Sequence, residues 1–345
     1  MKRFLFFLVI LLVALPTGLS IQYNFPAVSV GAFSEFLPEV EEEIKDIKPS
    51  SITFVGDVML ARRVEYFLDK YGSDYVYGSL PEVSTSTVLV GNFESSVPEI
   101  HEPTPDLTFS FASKEEHLAG LSEYGFSYMS LANNHSYDKG IGGFLYTQKS
   151  LENNDLIPFG EAKGIGTTTI AYVELEGLTV ALVGLHTLES LPSDTQLQNV
   201  MLQAQAQSDI QIAYVHWGTE YELKHSSSQE RFAHKLVDLG VDAVIGHHPH
   251  VAQDVEVYKD APIFYSLGNF IFDQYFSKDV QNGLWVELSF ANQSVQYELR
   301  GVTSIGSRST PRHMSKHEED IFLTSMAGRS DATSSQQIMQ GVIAQ

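Results

Sequence analysis

A mixed α/β fold of layered sheets and helices is the class this sequence predicts, and three observations carry it. From residue 51 onward, short apolar runs of strand length alternate with amphipathic stretches of helical length. Beyond residue 168, hairpin-like strand pairs join that alternation, which a purely parallel sheet would lack. Five of the strand-like runs also stop at side chains able to ligate a metal. In open α/β sheets such residues converge where the carboxyl ends of the strands meet.

The elements follow in order. Lys2 and Arg3 precede an unbroken apolar run, Phe4 to Leu15, then Pro16 and the stretch Thr17-Gly18-Leu19-Ser20. A basic start, a short apolar core and small residues behind it describe a secretory signal over residues 1–20, or a membrane anchor if it is not cleaved. Both place the body of the protein outside the cytoplasm. Residues 21–50 carry Pro26, Pro38, Pro49 and the acidic run Glu39 to Glu43, and read as an acidic linker.

Regular structure is expected from Ser51. Strands are predicted at 52–55, 87–90, 126–131, 210–215 and 241–245, with helices at 60–70, 114–124, 142–153 and 195–207. Residues 168–175 and 178–185 flank Glu176-Gly177 as a hairpin. Ser227-Ser228-Gln229-Glu230 offers a capping box for a helix ending at Gly240. Strands at 262–267, 283–290 and 294–302 close a domain spanning 51–303. Residues 304–345 turn polar, with one short helix opened by the box Ser315-Lys316-His317-Glu318. The last ~15–20 residues of this tail are expected to be mobile.

Composition narrows the function. The chain has 21 basic and 43 acidic side chains, a formal net charge of −22. Nucleic-acid binding relies on Lys and Arg neutralising phosphates, so no nucleic acid is expected as a partner. With no cysteine, disulfides, thiolate metal sites and cysteine nucleophiles are excluded.

The densest chemistry lies in VDAVIGHHPH, residues 241–250, where a strand-like run ends in His247, His248 and His250. Histidines two apart in an extended loop lean the same way, and neutral imidazole is the commonest protein ligand for a borderline metal. The other strand ends carry Asp57, Asn92 with Glu94, Asn134 with His135, and His216. Each has an ordinary structural explanation as well. Asp57 could cap a helix, Glu94 could be a solvated loop carboxylate, Asn133-Asn134 could make a turn, and His216 could be a hydrogen-bonded core histidine. Their coincidence at five strand ends favours a shared site.

The segments GDVML (56–60), GNFES (91–95), NNHSYDKG (133–140), HWGTEY (216–221), GHHPHV (246–251) and YSLGNFIFD (265–273) resemble the poly-γ-glutamate capsule biosynthesis proteins of CapA/PgsA type, within the calcineurin-like metallophosphoesterase superfamily. That resemblance implies a four-layer sandwich, two β-sheets flanked by helices. It also implies two divalent ions, Mn, Zn or Fe, held by Asp57, Asn92, Glu94, Asn134, His216, His248 and His250. His135 is implied as the proton donor to a leaving oxygen, with Asp138 orienting it. Two departures stand out. Asn92 replaces the superfamily's metal-bridging aspartate, leaving Glu94 as the nearest carboxylate, and Met59 replaces a histidine ligand.

Two ions about 3.5–4 Å apart can clamp a phosphoryl group and acidify a bridging water. Arg62 and Arg63, just past Asp57, could help hold an anion there or could be solvated surface charges. Tyr137, Trp217 and Tyr221 could line a cleft or belong to the core. The expected role is in polymer synthesis or export, with an anionic polymer or phosphorylated substrate and membrane synthase subunits as partners. The alternatives are a metal-dependent phosphoesterase or hydrolase, and a non-catalytic binding component of a membrane polymer synthase. The net charge of −22 should repel an acidic polymer unless metal ions or a local basic cleft intervene.

Overall fold

Strand β1 (Ser51–Val58) sets the layering. Ile52 and Phe54 enter one apolar cluster and Val55 another, because strand side chains alternate between faces, and a register shift between Phe54 and Asp57 then turns Val58 to the side of Val55. The computed structural model describes residues 48–80, 83–291 and 294–344, so the expected leader and the linker up to residue 47 lie outside the described residues. Among the described residues, no helix is long and apolar enough to cross a membrane.

After β1 the chain forms α1 (Arg62–Tyr71), α2 (Ser73–Tyr77), β2 (Thr87–Phe93), a short 3₁₀ turn, α3 (Leu118–Tyr124), β3 (Phe126–Ser130), α4 (Gly140–Asn153) and β4 (Ile157–Phe159). The hairpin β5 (Ile170–Leu175) and β6 (Leu178–His186) follows, then α5 (Asp194–Gln205), β7 (Ile210–His216), α6 (Ser227–Asp238) and β8 (Ala243–His247). The last third comprises β9 (Val255–Tyr258), β10 (Ala261–Phe264), β11 (Asn269–Ile271), β12 (Asn282–Ala291), β13 (Ser294–Thr303), β14 (Arg312–His313), α7 (Lys316–Ala327), α8 (Ala332–Gln340) and β15 (Val342–Ala344).

One sheet has the order β14-β13-β12-β1-β2-β3-β4, with β11 against β1 and β15 against β13; the other runs β5-β6-β7-β8-β10-β9. Ile52, Phe54 and Val90 of the first sheet share a core with Leu182, Tyr214 and Ile245 of the second. On the first sheet's outer face, Leu89 and Met129 pack with Val64, Leu121, Phe144 and Leu151 from the helices. On the second, Val183, Ala213 and Val244 meet Leu197, Met201, Phe232 and Leu236. The result is the expected metallophosphoesterase-like sandwich of two sheets between helices.

The residues beyond 303 differ from the polar tail with one short helix that was expected. They form two helices and two short strands, and Leu323, Met326, Ile338 and Ile343 complete the core between the sheets. A polar sequence hid this, because residues 327–337, between Met326 and Ile338, hold no large apolar side chain. One cap also shifts by a residue. Ser226, not Ser227, caps α6 and shares its box with Gln229. The box at Ser315 forms with Glu318 as read.

Candidate metal centre

Parallel pairing brings the candidate ligands together. Within the first sheet Asp57 is in register with both Asn92 and Asn269. In the second, His216 is in register with His186 on one side and His247 on the other. Ligand residues are therefore neighbours because parallel strands end side by side.

Two carboxylates occupy the middle, Asp57 and Glu94, both fully buried. Asn92 Nδ2 donates to Asp57 Oδ1 at 2.8 Å and approaches Glu94 Oε2 at 3.4 Å and His216 Nδ1 at 3.3 Å. A carboxylate at position 92 could not do this. The amide lets two acidic groups approach without adding a third charge. Glu94 Oε1 has no hydrogen-bond partner, although His250 Nε2 lies 3.6 Å and His135 Nε2 3.8 Å away.

His248 and His250 reach the site by a different path from the extended loop expected. Both have positive φ, 95° and 58°, on either side of Pro249. Such backbone costs about 1–3 kcal/mol per residue and persists only when its surroundings enforce it. Tyr221 N–H donates to Pro249 O at 2.8 Å and helps to hold this turn. The two rings end 5.9 Å apart, with His248 4.9 Å from the ring of His216. His250 Nδ1 sits 3.1 Å from Asp57 Oδ2 and 3.0 Å from Asn269 Oδ1.

The loop after β3 is fixed by Asn133, whose Oδ1 accepts from His135 N, Ser136 N and Ser136 Oγ at 2.9–3.0 Å. Its Nδ2 donates to Asn92 Oδ1 and Phe93 O. So anchored, Asn134 presents Oδ1 to His216 Nε2 at 2.7 Å. His135 Nδ1 lies 2.7 Å from Asp138 Oδ2, and its ring stacks on Phe111 at 4.0 Å. Asp138 also accepts from Phe111 N, so a backbone amide holds the carboxylate in place.

Burial governs the electrostatics. It pushes Glu94 well above the usual carboxylate range, and the Asp57 charge adds to that. Burial pushes Asp57 the same way, but the imidazoles of His247 and His250 outweigh it and hold Asp57 well below its ordinary value. Burial lowers His216 strongly, with His248 contributing, and lowers His248 to about 3, with His250 contributing. Both imidazoles are therefore neutral at physiological pH, the form in which they can ligate.

Every expected site residue lies at this rim. Met59 does not. It is buried in the helix-side core, where its Sδ accepts from Ala61 N at 3.0 Å. Trp217 is core as well, donating to Tyr265 O, and Tyr137 packs on Phe144. Three participants went unread, and a fourth, His247, was read only as a member of the histidine cluster. Asn269 supports His250, and His186 and His247 bring ring nitrogens without hydrogen-bond partners. Glu220 forms a possible three-residue cluster with His248 and His250. The motif segments LGN and HWGTEY contained two of them. Spacing from their nearest ligand gave no signal, because a loop or a separate strand intervenes.

A divalent cation fits these residues. Glu94, His216 and His248 form one group with ligand atoms within 4.8 Å of one another, and Asp57, Glu94 and His250 form a second. Glu94 belongs to both. Carboxylate, amide and imidazole donors without sulfur suit a hard or borderline ion. The buried Glu94 oxygen without a partner is the kind of group that a cation would satisfy.

A helix-flanked double sheet with a histidine- and carboxylate-rich rim at its parallel strand ends defines a metallophosphoesterase-like protein in fold. Residues 51–274 match the family described as bacterial capsule synthesis protein PGA_cap, and the chain belongs to that family. It is 34% identical to a capsule biosynthesis protein CapA of Bacillus anthracis, over 72% of this chain and 64% of that protein. It is 31% identical to the PGA biosynthesis protein CapA of Bacillus subtilis, over 76% of this chain and 70% of that one. A protein of Mycobacterium tuberculosis named a "probable polyglutamine synthesis accessory protein" is 25% identical over 56% of this chain and 55% of its own length. The chain thus spans just under two thirds of the first of these relatives.

Proposed function

We propose that this protein works outside the cytoplasm in the synthesis or export of an anionic polymer of poly-γ-glutamate type, through a divalent-cation centre at the strand ends. The observation that carries the reading is Glu94: buried, shared by two ligand groups, and with one oxygen unanswered. Names of relatives at 31–34% identity supply the polymer. Asp57, Asn92, Glu94, Asn134, His216, His248 and His250 would hold two ions, of Mn, Zn or Fe. When bound, such ions supply Lewis acidity toward a carboxyl or phosphoryl oxygen. Asp57 and Glu94 provide the negative charge, Asn92 holds them together, and Asn134 orients His216. Membrane synthase subunits are the partners this role requires, reached through the N-terminal segment as leader or anchor.

The test is elemental analysis of purified protein beside Asp57→Asn and His248→Ala, together with calorimetric binding of a γ-linked glutamate oligomer. Stoichiometric metal in the wild type and its loss in both variants support the proposal. Wild-type protein that retains no divalent ion, even after loading, sinks it.

One observation favours a second reading, hydrolysis of a phosphoester. His135 is held by Asp138 at 2.7 Å with its Nε2 toward Glu94, an arrangement that keeps a proton at Nδ1 and aims the other nitrogen into the site. Turnover of a chromogenic phosphodiester with Mn²⁺ that disappears in His135→Ala supports this alternative.

A further inference from the structure

A cavity of about 530 Å³ opens beside the candidate centre, and its chemistry is unlike the rest of the surface. Three arginines line it, Arg62, Arg63 and Arg308, against two carboxylates, Asp106 and Asp273. In a chain of net charge −22 this is a local reversal of sign. Two of the arginines are answered internally. Arg62 pairs with Asp273 and lies 4.5 Å from the centroid of Phe111, and Arg63 is 3.6 Å from Asp106. Arg308 is exposed, rests over the face of Tyr275 at 5.1 Å, and has no carboxylate partner among the described residues.

Apolar groups stand exposed in the same cavity. Phe109 and Phe276 are 74% and 66% accessible, far more than an aromatic ring needs for packing alone. Tyr221 meets Phe276 edge to face at 5.1 Å and lies 6.2 Å from the ring of His250. A hydrogen-bonded series joins cavity to centre. Gln274 Nε2 donates to Tyr221 Oη at 3.1 Å, and Asn269 Nδ2 donates to Gln274 Oε1 at 3.0 Å. Asn269 Oδ1 in turn sits 3.0 Å from His250 Nδ1, which faces Asp57.

We propose that this cavity binds a stretch of acidic chain whose carboxylates sit directly on a backbone that carries pairs of methylenes between them. Arg308 pairs a carboxylate, Phe109 and Phe276 cover the backbone methylenes, and Tyr221 marks the passage toward the centre. The inference rests on the polymer reading above and adds to it the residues that recognise the chain. It also resolves the charge conflict, since guanidinium–carboxylate pairing over an aromatic floor supplies attraction where the overall surface repels.

Calorimetry with a γ-linked glutamate hexamer tests this on the protein before and after metal stripping, beside Arg308→Ala and Phe276→Ser. Inorganic phosphate and phosphatidylglycerol vesicles serve as the other anionic probes. Arg308→Ala should weaken hexamer binding by about tenfold, the effect of losing one charge-assisted hydrogen bond. Its metal content and melting curve should match the wild type, since the side chain is exposed. Phe276→Ser should weaken binding without altering its dependence on salt. Hexamer affinity unchanged in Arg308→Ala, or binding of vesicles or phosphate with none of the hexamer, overturns the proposal. Wild type that holds no metal but still loses hexamer affinity in Arg308→Ala sinks the cation centre and leaves this cavity standing. Metal retention without any hexamer binding does the reverse.

Discussion

His250 Nε2 faces Glu94 Oε1 across 3.6 Å in a fully buried setting, with no hydrogen bond completed at that oxygen. The opposite ring nitrogen, Nδ1, has the oxygens of Asp57 and Asn269 as neighbours, so a neutral ring keeps its proton there. Once Glu94 is ionised, two lone pairs point at each other. Such an arrangement repels unless a positive charge stands between, and a cation ligated by both atoms supplies it.

Replacing Glu94 by Gln removes this repulsion and one ligand charge at once. The variant should lose bound divalent metal while its metal-free form becomes more stable by about 1–3 kcal/mol, the cost of an unsatisfied buried polar group. Elemental analysis and chelated thermal melts measure the two effects. Lower stability of chelated Glu94→Gln would contradict the assignment.

Metal affinity should rise with pH. Burial and the Asp57 charge raise Glu94, so its proton is held more tightly than in a free carboxylate and an incoming ion must expel it. Below that raised value affinity climbs, by up to about tenfold per pH unit for one proton, and above it the climb ends. His248, lowered to about 3 by burial and His250, is already neutral across this range and adds no slope. Competition titrations with a chromogenic chelator between mildly acid and neutral pH read the slope, which should flatten in Glu94→Gln.

Asp138→Asn separates the two functional readings. If His135 donates a proton during phosphodiester cleavage, the variant should lose about 10²-fold or more in turnover, with metal content unchanged. Turnover that survives the substitution excludes His135 as an oriented acid.

Gly56 precedes Asp57 where β1 passes the residue just before β11. A Cβ there would lie 1.9 Å from Gly268 O, a backbone atom that cannot swing aside. Gly56→Ala should therefore cost about 1–3 kcal/mol or more and displace Asp57, whose N–H donates to that same oxygen at 2.9 Å. A lower urea midpoint together with reduced metal content is the expected pair of results.

Deleting residues 331–345 should destabilise the whole domain. Ile338 and Ile343 are buried between the sheets, and β15 pairs with β13; each side chain contributes about 1.5–3 kcal/mol. An unchanged urea midpoint after truncation would refute the packing described for this segment.

Much of the fold was legible because strand and helix periods differ and both are strong from Ser51 to Asp238. Short strands such as β4, β9 and β11 were not, since three or four residues are too few to display a period. The C-terminal segment was misjudged for a related reason. Its buried residues are few and spaced among polar ones, and only the cleft between the sheets gives them somewhere to go.

The sequence alone determined which chemical groups were available: carboxylates, amides and imidazoles at strand ends, no thiols, and an acidic surface. Tertiary structure decided how they are shared. It placed Met59 in the core, brought in Asn269 and His186, turned His248 and His250 through positive φ, and left one oxygen of Glu94 without a partner. The reason is physical. A residue's type sets what it can bind, but strand register and loop curvature set which atoms meet, and those depend on contacts between segments far apart in the chain.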